Sequence, residues 1–186
     1  MRNIESEATT SPTLKYALER YFLYGEEIGY VRRYDEDIKT SRASTIFNAH
    51  IENKLIEKLS KGKWNSIYYY AKKFYLMYIN KDNPKDKMID IQPFCYAFSI
   101  ATYEHDKSTS YPNIKNIIFD EFTARKDYLY EEFINFENLL STIIRLKDDV
   151  KIFMLGNTIN KYNPYFKEMG LNNVKNMTIG TKDIYT

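Results

Sequence analysis

The sequence predicts an α/β fold built on a mostly parallel sheet. Short apolar runs alternate with longer stretches in which apolar residues recur at helical spacing. One stretch, residues 114–157, holds a strand pattern, a helix pattern and a second strand pattern in succession. Because such βαβ crossovers return beside their first strand, we expect these two strands to be parallel neighbours.

The first half of the chain is expected to form two helices, a strand and a β-hairpin. Apolar residues recur every three or four positions in the helical stretches, and the hairpin strands are rich in aromatic residues and isoleucine. The expected elements are a helix over 13–24 that begins after Pro12, a buried strand over 28–31, an amphipathic helix over 44–59, and hairpin strands over 66–70 and 74–79.

The second half supplies most of the predicted parallel strands. Two of its apolar runs are short enough to be buried strands, and the stretch between them has helical periodicity. The expected elements are a strand over 94–101, a strand through 117–119, a helix over 128–146, a strand over 151–155, a short element from Asn163, and one last strand within 171–186.

Composition excludes several classes of function. The chain has 186 residues, enough for one domain, and a net charge of +2 that does not by itself indicate nucleic-acid binding. It has one cysteine and two histidines, so we expect neither an intrachain disulfide nor a zinc site. No apolar run reaches the roughly 18 residues of a membrane span. The 18 tyrosines and 11 phenylalanines do not establish a base-stacking surface by composition alone.

The strand pattern through 117–119 ends in two acids, Asp120 and Glu121. Open α/β sheets bind ligands at the carboxyl ends of their strands. In nucleotide hydrolases one such acid helps to hold Mg²⁺, while the other orients the attacking water. The simpler interpretation is a core strand that enters an ordinary acidic turn, and the residues alone leave both open.

A polar residue follows the second strand of the βαβ unit. Asn157 comes directly after Gly156, and neighbouring parallel strands would bring it close to Asp120 and Glu121. Two carboxylates and an amide in this arrangement can hold a metal ion, a water and a γ-phosphate. By itself, Asn157 is more simply explained as a turn residue that follows a glycine.

Three stretches of the sequence form a recognisable set. They are Tyr24-Gly25-Glu26-Glu27 leading to Tyr30-Val31-Arg32-Arg33-Tyr34, Ser110-Tyr111-Pro112-Asn113 followed by Ile117-Ile118-Phe119-Asp120-Glu121-Phe122, and Leu155-Gly156-Asn157 followed by Asn163-Pro164-Tyr165-Phe166. In their order and spacing they resemble the genome-packaging (DNA-encapsidation) ATPases of small tailed bacteriophages with protein-primed linear genomes. The resemblance covers roughly residues 13–170.

The resemblance implies an ATPase of the P-loop NTPase (ASCE) type with an inserted β-hairpin, and cofactors ATP and Mg²⁺. At the positions that match the family's motifs, Asp120 is similar to the Mg²⁺-associated acid, Glu121 to the catalytic base and Asn157 to the phosphate sensor. Arg145 is similar to the arginine finger, and Lys126 to a second basic residue near the subunit interface. The implied partners are a homo-oligomeric ring, the phage portal and procapsid, and double-stranded DNA, with no membrane, in the host cytoplasm.

Arg32 and Arg33 follow the strand predicted over 28–31. Their guanidinium groups can bind phosphate or can pair with the carboxylates of the site, since both are planar bidentate partners. The sequence leaves phosphate contact and internal pairing equally open.

The family's phosphate loop has no counterpart in the sequence. The family carries G-x-x-x-x-G-K-[ST] after a first strand. The ungapped alignment places Ala8-Thr9-Thr10 at that position, and a shifted alignment places Thr13 there. The first strand and Walker A motif are therefore expected to be missing or degenerate. A decayed or truncated copy, an omitted segment and a subunit that no longer hydrolyses ATP all remain open.

We expect residues 1–12 to form a polar N-terminal segment and residues 13–186 a single ATPase-like domain, without the family's nuclease-like C-terminal domain. The leading hypothesis is the ATPase domain of a ring motor that moves DNA into a procapsid. One alternative is a non-catalytic remnant that binds motor partners or DNA. Another is a nucleic-acid-binding domain that uses lysines, namely Lys72, Lys73, Lys81, Lys85 and Lys87.

Overall fold

The computed structural model describes residues 4–106, 109–124, 127–156 and 163–178, together with Lys182 and Ile184. These residues form a mixed α/β fold around one six-stranded sheet, in the order β2-β3-β4-β1-β5-β6. The strands are β1 (Glu27–Arg32), β2 (Ser66–Tyr70), β3 (Lys73–Ile79), β4 (Lys87–Ser99), β5 (Ile114–Asp120) and β6 (Lys151–Leu155). The helices are α1 (Ile4–Tyr24), α2 (Thr40–Ala43), α3 (Asn48–Glu52), α4 (Leu55–Leu59), α5 (Glu132–Ile144) and α6 (Pro164–Glu168).

The sheet is parallel where the candidate site lies. β4, β1, β5 and β6 pair in parallel, whereas the β2–β3 and β3–β4 pairs are antiparallel. The predicted hairpin therefore forms, at one edge of the sheet. The prediction that the two strands of the βαβ unit are parallel neighbours is confirmed, because β5 pairs with β6 from Asn116–Lys151 to Asp120–Leu155.

Two apolar layers sandwich the sheet. One layer packs α1 and the short helices α2 to α4 on the sheet and includes Leu18, Phe47, Phe74 and Phe94. The other layer packs α5 and α6 on the opposite face. This second layer covers β1 and β5 in particular, which are buried along nearly their whole lengths. Both faces of the central strands are thus covered, as expected for parallel strands.

Three element predictions were wrong in extent or type. The first helix begins at Ile4 and contains Pro12, because the polar stretch before the proline continues as helix. The helix expected over 44–59 is divided into short helices, and Lys54, with φ 54°, separates α3 from α4. The strand expected over 94–101 begins earlier, at Lys87, because residues 87–93 pair with β3.

The C-terminal region also differs from expectation. No strand occurs among the described residues after 170, where a 3₁₀-helix spans Asn172–Asn176 instead. This short stretch is rich in asparagine, which favours turns over sheet pairing. Within the described part of the chain, no helix is both long and apolar enough to cross a membrane.

Candidate active site

The site lies at the edge of the sheet where the parallel strands end, here called the carboxyl edge. β1 and β5 are neighbours in parallel register, with Val31 opposite Phe119. The next residue of each strand is its last, so Arg32 and Asp120 end up side by side. Strand order alone therefore brings together a cation and an acid that are 88 residues apart in sequence.

The Asp120 carboxylate is held by donors from two elements. The Thr10 hydroxyl of α1 donates to Oδ1 at 2.8 Å, and the Tyr30 hydroxyl of β1 donates to Oδ2 at 2.7 Å. Arg32 Nη1 also donates to Oδ2, at 2.9 Å. Because both oxygens accept hydrogen bonds, the carboxylate has a fixed orientation toward α1.

Glu121 leaves the strand in an unusual backbone conformation. Its φ is 57°, in the left-handed region that non-glycine residues seldom adopt. Its carboxylate accepts a hydrogen bond from Arg32 Nη2 at 2.7 Å, and its side chain remains 56% exposed. Glu121 thus stands beside Asp120 with access to water, which is the geometry that a base acting on a water molecule requires.

Arg32 bridges the two acids. Burial by itself lowers the pKa of Arg32, but neighbouring Tyr30, Asp120 and Glu121 outweigh burial and raise that pKa above its usual value. Burial, together with the Asp120 charge, raises the pKa of Tyr30, so its hydroxyl stays protonated and donates. Arg32, Asp120 and Glu121 form one ion-paired cluster at the carboxyl edge, with one cation for two carboxylates.

The Arg33 side chain points to the opposite face of the sheet from Arg32 and pairs with other residues of the protein. Its Nε donates to Glu132 Oε2 at 2.8 Å, in an ion pair whose side chains are only 8% and 1% exposed. Its Nη1 and Nη2 donate to the backbone carbonyls of Glu121 and Phe122, at 3.1 and 2.7 Å. These contacts match the internal-pairing alternative, and they offer no free face to a phosphate.

A cleft of about 840 Å³ opens above the Asp120 cluster. This volume lies within the range of about 300–1,000 Å³ typical of small-molecule sites. Arg32, Asp120 and Glu121 form a charged part of the lining, here called the charged end, and both polar and apolar side chains of α1 and of the α2–α3 region also line the cleft. These include Thr10, Pro12, Leu14 and Ile46.

The residues present fit a magnesium ion at the charged end. Mg²⁺ prefers octahedral oxygen ligands at about 2.1 Å, which places adjacent ligands about 3 Å apart. Thr10 Oγ1 and Asp120 Oδ1 are 2.8 Å apart, close to that spacing. No group of three or more His, Cys, Asp or Glu side chains suited to a metal ion occurs among the described residues. Thr10 and Asp120 would therefore share the ion with waters or a ligand's phosphates.

Arg145 does not join this cluster. It follows α5 and precedes β6, whose first residues pair near the start of β5. Two residues further on, Lys147 donates to the carbonyls of Tyr111 and Ile114, also at the start of β5. Arg145 is therefore exposed at the opposite edge of the sheet from Asp120.

The other predicted site residues divide into two groups. Thr13 lies about one turn beyond Thr10 in α1 and is half-buried. Asn157 and Lys126 lie outside the described residues. Gly156, the residue before Asn157, lies so close to Thr123 that a Cβ at this position would be 2.6 Å from Thr123 Oγ1. The end of β6 thus packs closely against the segment that follows Glu121.

Two contributors were not predicted from the sequence. Tyr30 lies two residues before Arg32 in the same strand. Because side chains two residues apart lie on the same face of a strand, the sequence could have identified Tyr30 as a neighbour of Arg32 in the site. Glu132, the partner of Arg33, had no such signal, because its role depends on where α5 begins relative to β1. Its second oxygen accepts a hydrogen bond from the Tyr165 hydroxyl of α6 at 2.7 Å.

Comparisons with known proteins identify the family of this chain. Residues 7–180 match the family model described as Podovirus DNA encapsidation protein (Gp16). Over 155 residues the chain is 30% identical to the DNA packaging protein of Bacillus phage phi29, covering 81% of this chain and 40% of that protein. Over 160 residues it is 26% identical to the DNA packaging protein of Bacillus phage B103, covering 84% and 43% respectively. The chain thus spans less than half the length of these curated relatives.

Solved structures give the same result. The crystal structure of the N-terminal domain of the DNA packaging ATPase from bacteriophage phi29 superposes with a TM-score of 0.71 at 25% identity, covering 94% of this chain and 79% of that one. A chain of the bacteriophage phi29 viral genome packaging motor assembly gives a TM-score of 0.69 at 25% identity, covering 96% and 48%. This chain belongs to the podovirus DNA encapsidation protein (Gp16) family.

Proposed function

We propose that this chain is the ATPase domain of a viral DNA-packaging ring motor, which uses ATP hydrolysis to move double-stranded DNA into a procapsid. The contact between Thr10 and Asp120 is the observation that carries the proposal. In P-loop NTPases a phosphate-loop Ser or Thr and a Walker B Asp hold Mg²⁺ together. Thr10 occupies that threonine position in the ungapped alignment, and its hydroxyl lies 2.8 Å from Asp120 Oδ1.

In this proposal the cleft holds Mg-ATP with the phosphates at its charged end. Asp120 and Thr10 would hold a Mg²⁺ ion, which would supply positive charge next to the phosphates. Arg32 keeps Asp120 and Glu121 oriented. Glu121 orients the attacking water, because its carboxylate is exposed next to Asp120. Asn157 keeps its predicted role as the sensor.

The position of Arg145 supports a ring with the nucleotide between subunits. An exposed arginine at the opposite edge from Asp120 is placed to enter a neighbour's cleft when subunits contact head to tail. A guanidinium donated in this way stabilises charge on the transferring phosphate and is worth about 10³ to 10⁵ in rate. Lys126 is the proposed second basic residue at that interface.

The proposal includes the partners that such a motor requires. One structural relative is described as a viral genome packaging motor assembly. By analogy, we propose that this chain forms a homo-oligomeric ring that contacts a phage portal and procapsid in the host cytoplasm. Residues 13–186 act as one ATPase domain in this proposal, and the preceding part of α1 contributes Thr10 to its site.

A second candidate is an ATPase-like interaction protein that does not hydrolyse ATP. The bridging arginine favours it, because Arg32 already pairs with both carboxylates, at 2.9 and 2.7 Å, and occupies acceptor oxygens that a metal ion or water would use. Such a protein would keep the fold and bind motor partners without using the nucleotide.

Nucleotide titration separates the two candidates. A single-site ligand at about 100 times its dissociation constant stabilises the folded state by about 2.7 kcal/mol. We expect ATP with Mg²⁺ to raise the melting temperature of the wild-type chain. Asp120→Asn should abolish the part of this rise that depends on Mg²⁺, and Glu137→Gln, on the exposed side of α5, should leave it intact.

Turnover then tests the role of Glu121. Glu121→Gln should lower ATP hydrolysis far more than nucleotide affinity, because it removes the base and keeps the side chain's size and its contact to Arg32. Equal losses of affinity and turnover would contradict that role. A wild-type chain that saturating Mg-ATP does not stabilise would end the enzyme proposal.

A further inference from the structure

One face of the β-hairpin carries exposed tyrosines. Tyr69 and Phe74 point into the helical layer and are buried, so their strand neighbours point the other way. The pairings Tyr68–Tyr75 and Tyr70–Lys73 place these four side chains together on the uncovered side. We call Tyr68, Tyr70, Lys73 and Tyr75 the tyrosine face.

The rings of the tyrosine face are arranged to stack with a planar ligand. Tyr68 and Tyr70 have nearly parallel planes, 8° apart, with centroids separated by 6.3 Å. This separation is shorter than the roughly 7 Å that a flat ring inserted between them would need, twice the usual carbon–carbon contact distance, so a planar ligand would stack on an exposed ring face and not between the rings. Tyr68 is 37% exposed and Tyr70 is 63% exposed, so a ligand can reach both rings.

The segment of the chain that contains the hairpin is positively charged. Between residues 61 and 92 the chain contains seven lysines and three aspartates, with no arginine or glutamate, although the whole chain has a net charge of only +2. The positive charge of the protein is therefore concentrated in the region of the hairpin. Lys73 is exposed and lies directly opposite Tyr70 in the pairing.

We propose that the tyrosine face binds single-stranded nucleic acid. Bases stack on Tyr68, Tyr70 and Tyr75, and Lys73 contacts the phosphate backbone. Stacking on aromatic side chains beside basic residues is the general means of binding unpaired strands, because every base has a π-face. A duplex hides those faces, so this site is distinct from the proposed handling of double-stranded DNA and from the Asp120 cleft.

Fluorescence anisotropy with labelled 12-nucleotide oligouridylate and oligothymidylate tests the proposal on the full chain. Both strands should bind, and a 12-base-pair duplex should compete poorly. The double variant Tyr68→Ala/Tyr70→Ala should weaken binding by about 5- to 150-fold for each stacked base lost. Lys73→Glu should weaken binding and reduce its dependence on salt concentration.

Matched variants separate this site from non-specific effects. Tyr130→Ala removes a tyrosine that is 86% exposed elsewhere, and Lys58→Glu reverses an exposed charge on the helical side. Both should leave binding unchanged apart from a small uniform electrostatic effect. Tyr70→Phe keeps the ring and should bind like wild type. Preference for one of the two strands would identify RNA or DNA as the natural ligand.

Three outcomes would overturn the proposal. The first is absence of binding to either strand by a folded wild-type chain. The second is unchanged affinity in Tyr68→Ala/Tyr70→Ala. The third is self-association that this double variant abolishes without any nucleic-acid binding, which would assign the face to a second copy of the chain. Unfolding curves of each variant check that loss of binding is not loss of folding.

Discussion

Arg32 and Arg33 are adjacent in β1, yet their guanidinium groups lie in two different environments. Arg32 pairs with Asp120 and Glu121 at the mouth of a cleft, where the Glu121 side chain is 56% exposed. Arg33 pairs with Glu132 in the core, where the two side chains are 8% and 1% exposed. The alternation of a strand thus sends one arginine to the candidate site and the other to its support.

The two arginines at this strand end therefore have different roles: Arg32 belongs to the candidate site, and Arg33 stabilises the fold beneath it. Water can replace Arg32 at the exposed Glu121 carboxylate, so that contact can rearrange when a ligand arrives, although Arg32 and Asp120 are only 17% and 13% exposed. Water cannot replace Arg33, because a buried charge that loses its partner stays desolvated. Arg33 also binds the backbone carbonyls of Glu121 and Phe122, so the buried pair holds in place the residue that the cleft uses.

The largest effect is expected from breaking the buried pair. Glu132→Ala leaves the Arg33 guanidinium without its carboxylate and should lower the free energy of unfolding by about 3–5 kcal/mol. Urea denaturation measures this loss, and Glu137→Ala, on the exposed side of α5, is the control that should change little. A loss of the same size in the control would show that α5 is merely sensitive to any glutamate removal.

Loss of the tyrosine that supports this pair should cost less. Burial and the Glu132 carboxylate raise the pKa of Tyr165, so its hydroxyl remains protonated and donates to Glu132 Oε1. Tyr165→Phe leaves that oxygen unpaired and should lower the free energy of unfolding by about 1–3 kcal/mol. Denaturation of the double variant Tyr165→Phe/Glu132→Ala tests the mechanism, because the two losses should not add.

At the cleft, loss of the whole guanidinium should cost about 1–3 kcal/mol. The Asp120 side chain is only 13% exposed but keeps its hydrogen bonds from Thr10 and Tyr30, and Glu121 can be solvated by water. Arg32→Gln removes both contacts to Asp120 and Glu121 and leaves two acids without a cation. We therefore expect tighter Mn²⁺ binding by calorimetric titration, together with a loss of stability in urea that is smaller than that of Glu132→Ala. A stability loss as large as that of Glu132→Ala would erase the proposed distinction between the two arginines.

The smallest effect is expected at the partly exposed pair of Asp35 and Lys72, 2.5 Å apart. The hydrogen bond from Lys72 lowers the pKa of Asp35 below its usual value. A carboxyl whose folded-state pKa is depressed contributes stability above its unfolded pKa of about 3.9 and loses it as pH falls through the lower folded value. The stability difference between wild type and Lys72→Met should therefore shrink from pH 6 to pH 3. A difference that is constant with pH would rule out this ion pair as its source.

Local sequence patterns were sufficient to predict the main strands and the two acids at the end of β5. β5, β6 and the hairpin were predicted because each is a short apolar or aromatic run with clear borders. The closeness of β5 and β6 followed from the handedness of βαβ units, which is independent of side-chain detail. The start of α1 was missed because Pro12 marks a helix start in most sequences but lies inside this one.

The pairing of each arginine needed the assembled sheet. From the sequence alone, Arg32 and Arg33 could each bind a phosphate or a carboxylate. Their partners lie about 90 to 100 residues away along the chain. Which face of β1 borders the cleft depends on how α1, α5 and α6 pack around it. The residues specify periodicity and charge, because these are properties of neighbours in the chain. The tertiary packing alone selects which charge is buried and which meets solvent, because burial depends on neighbours in space.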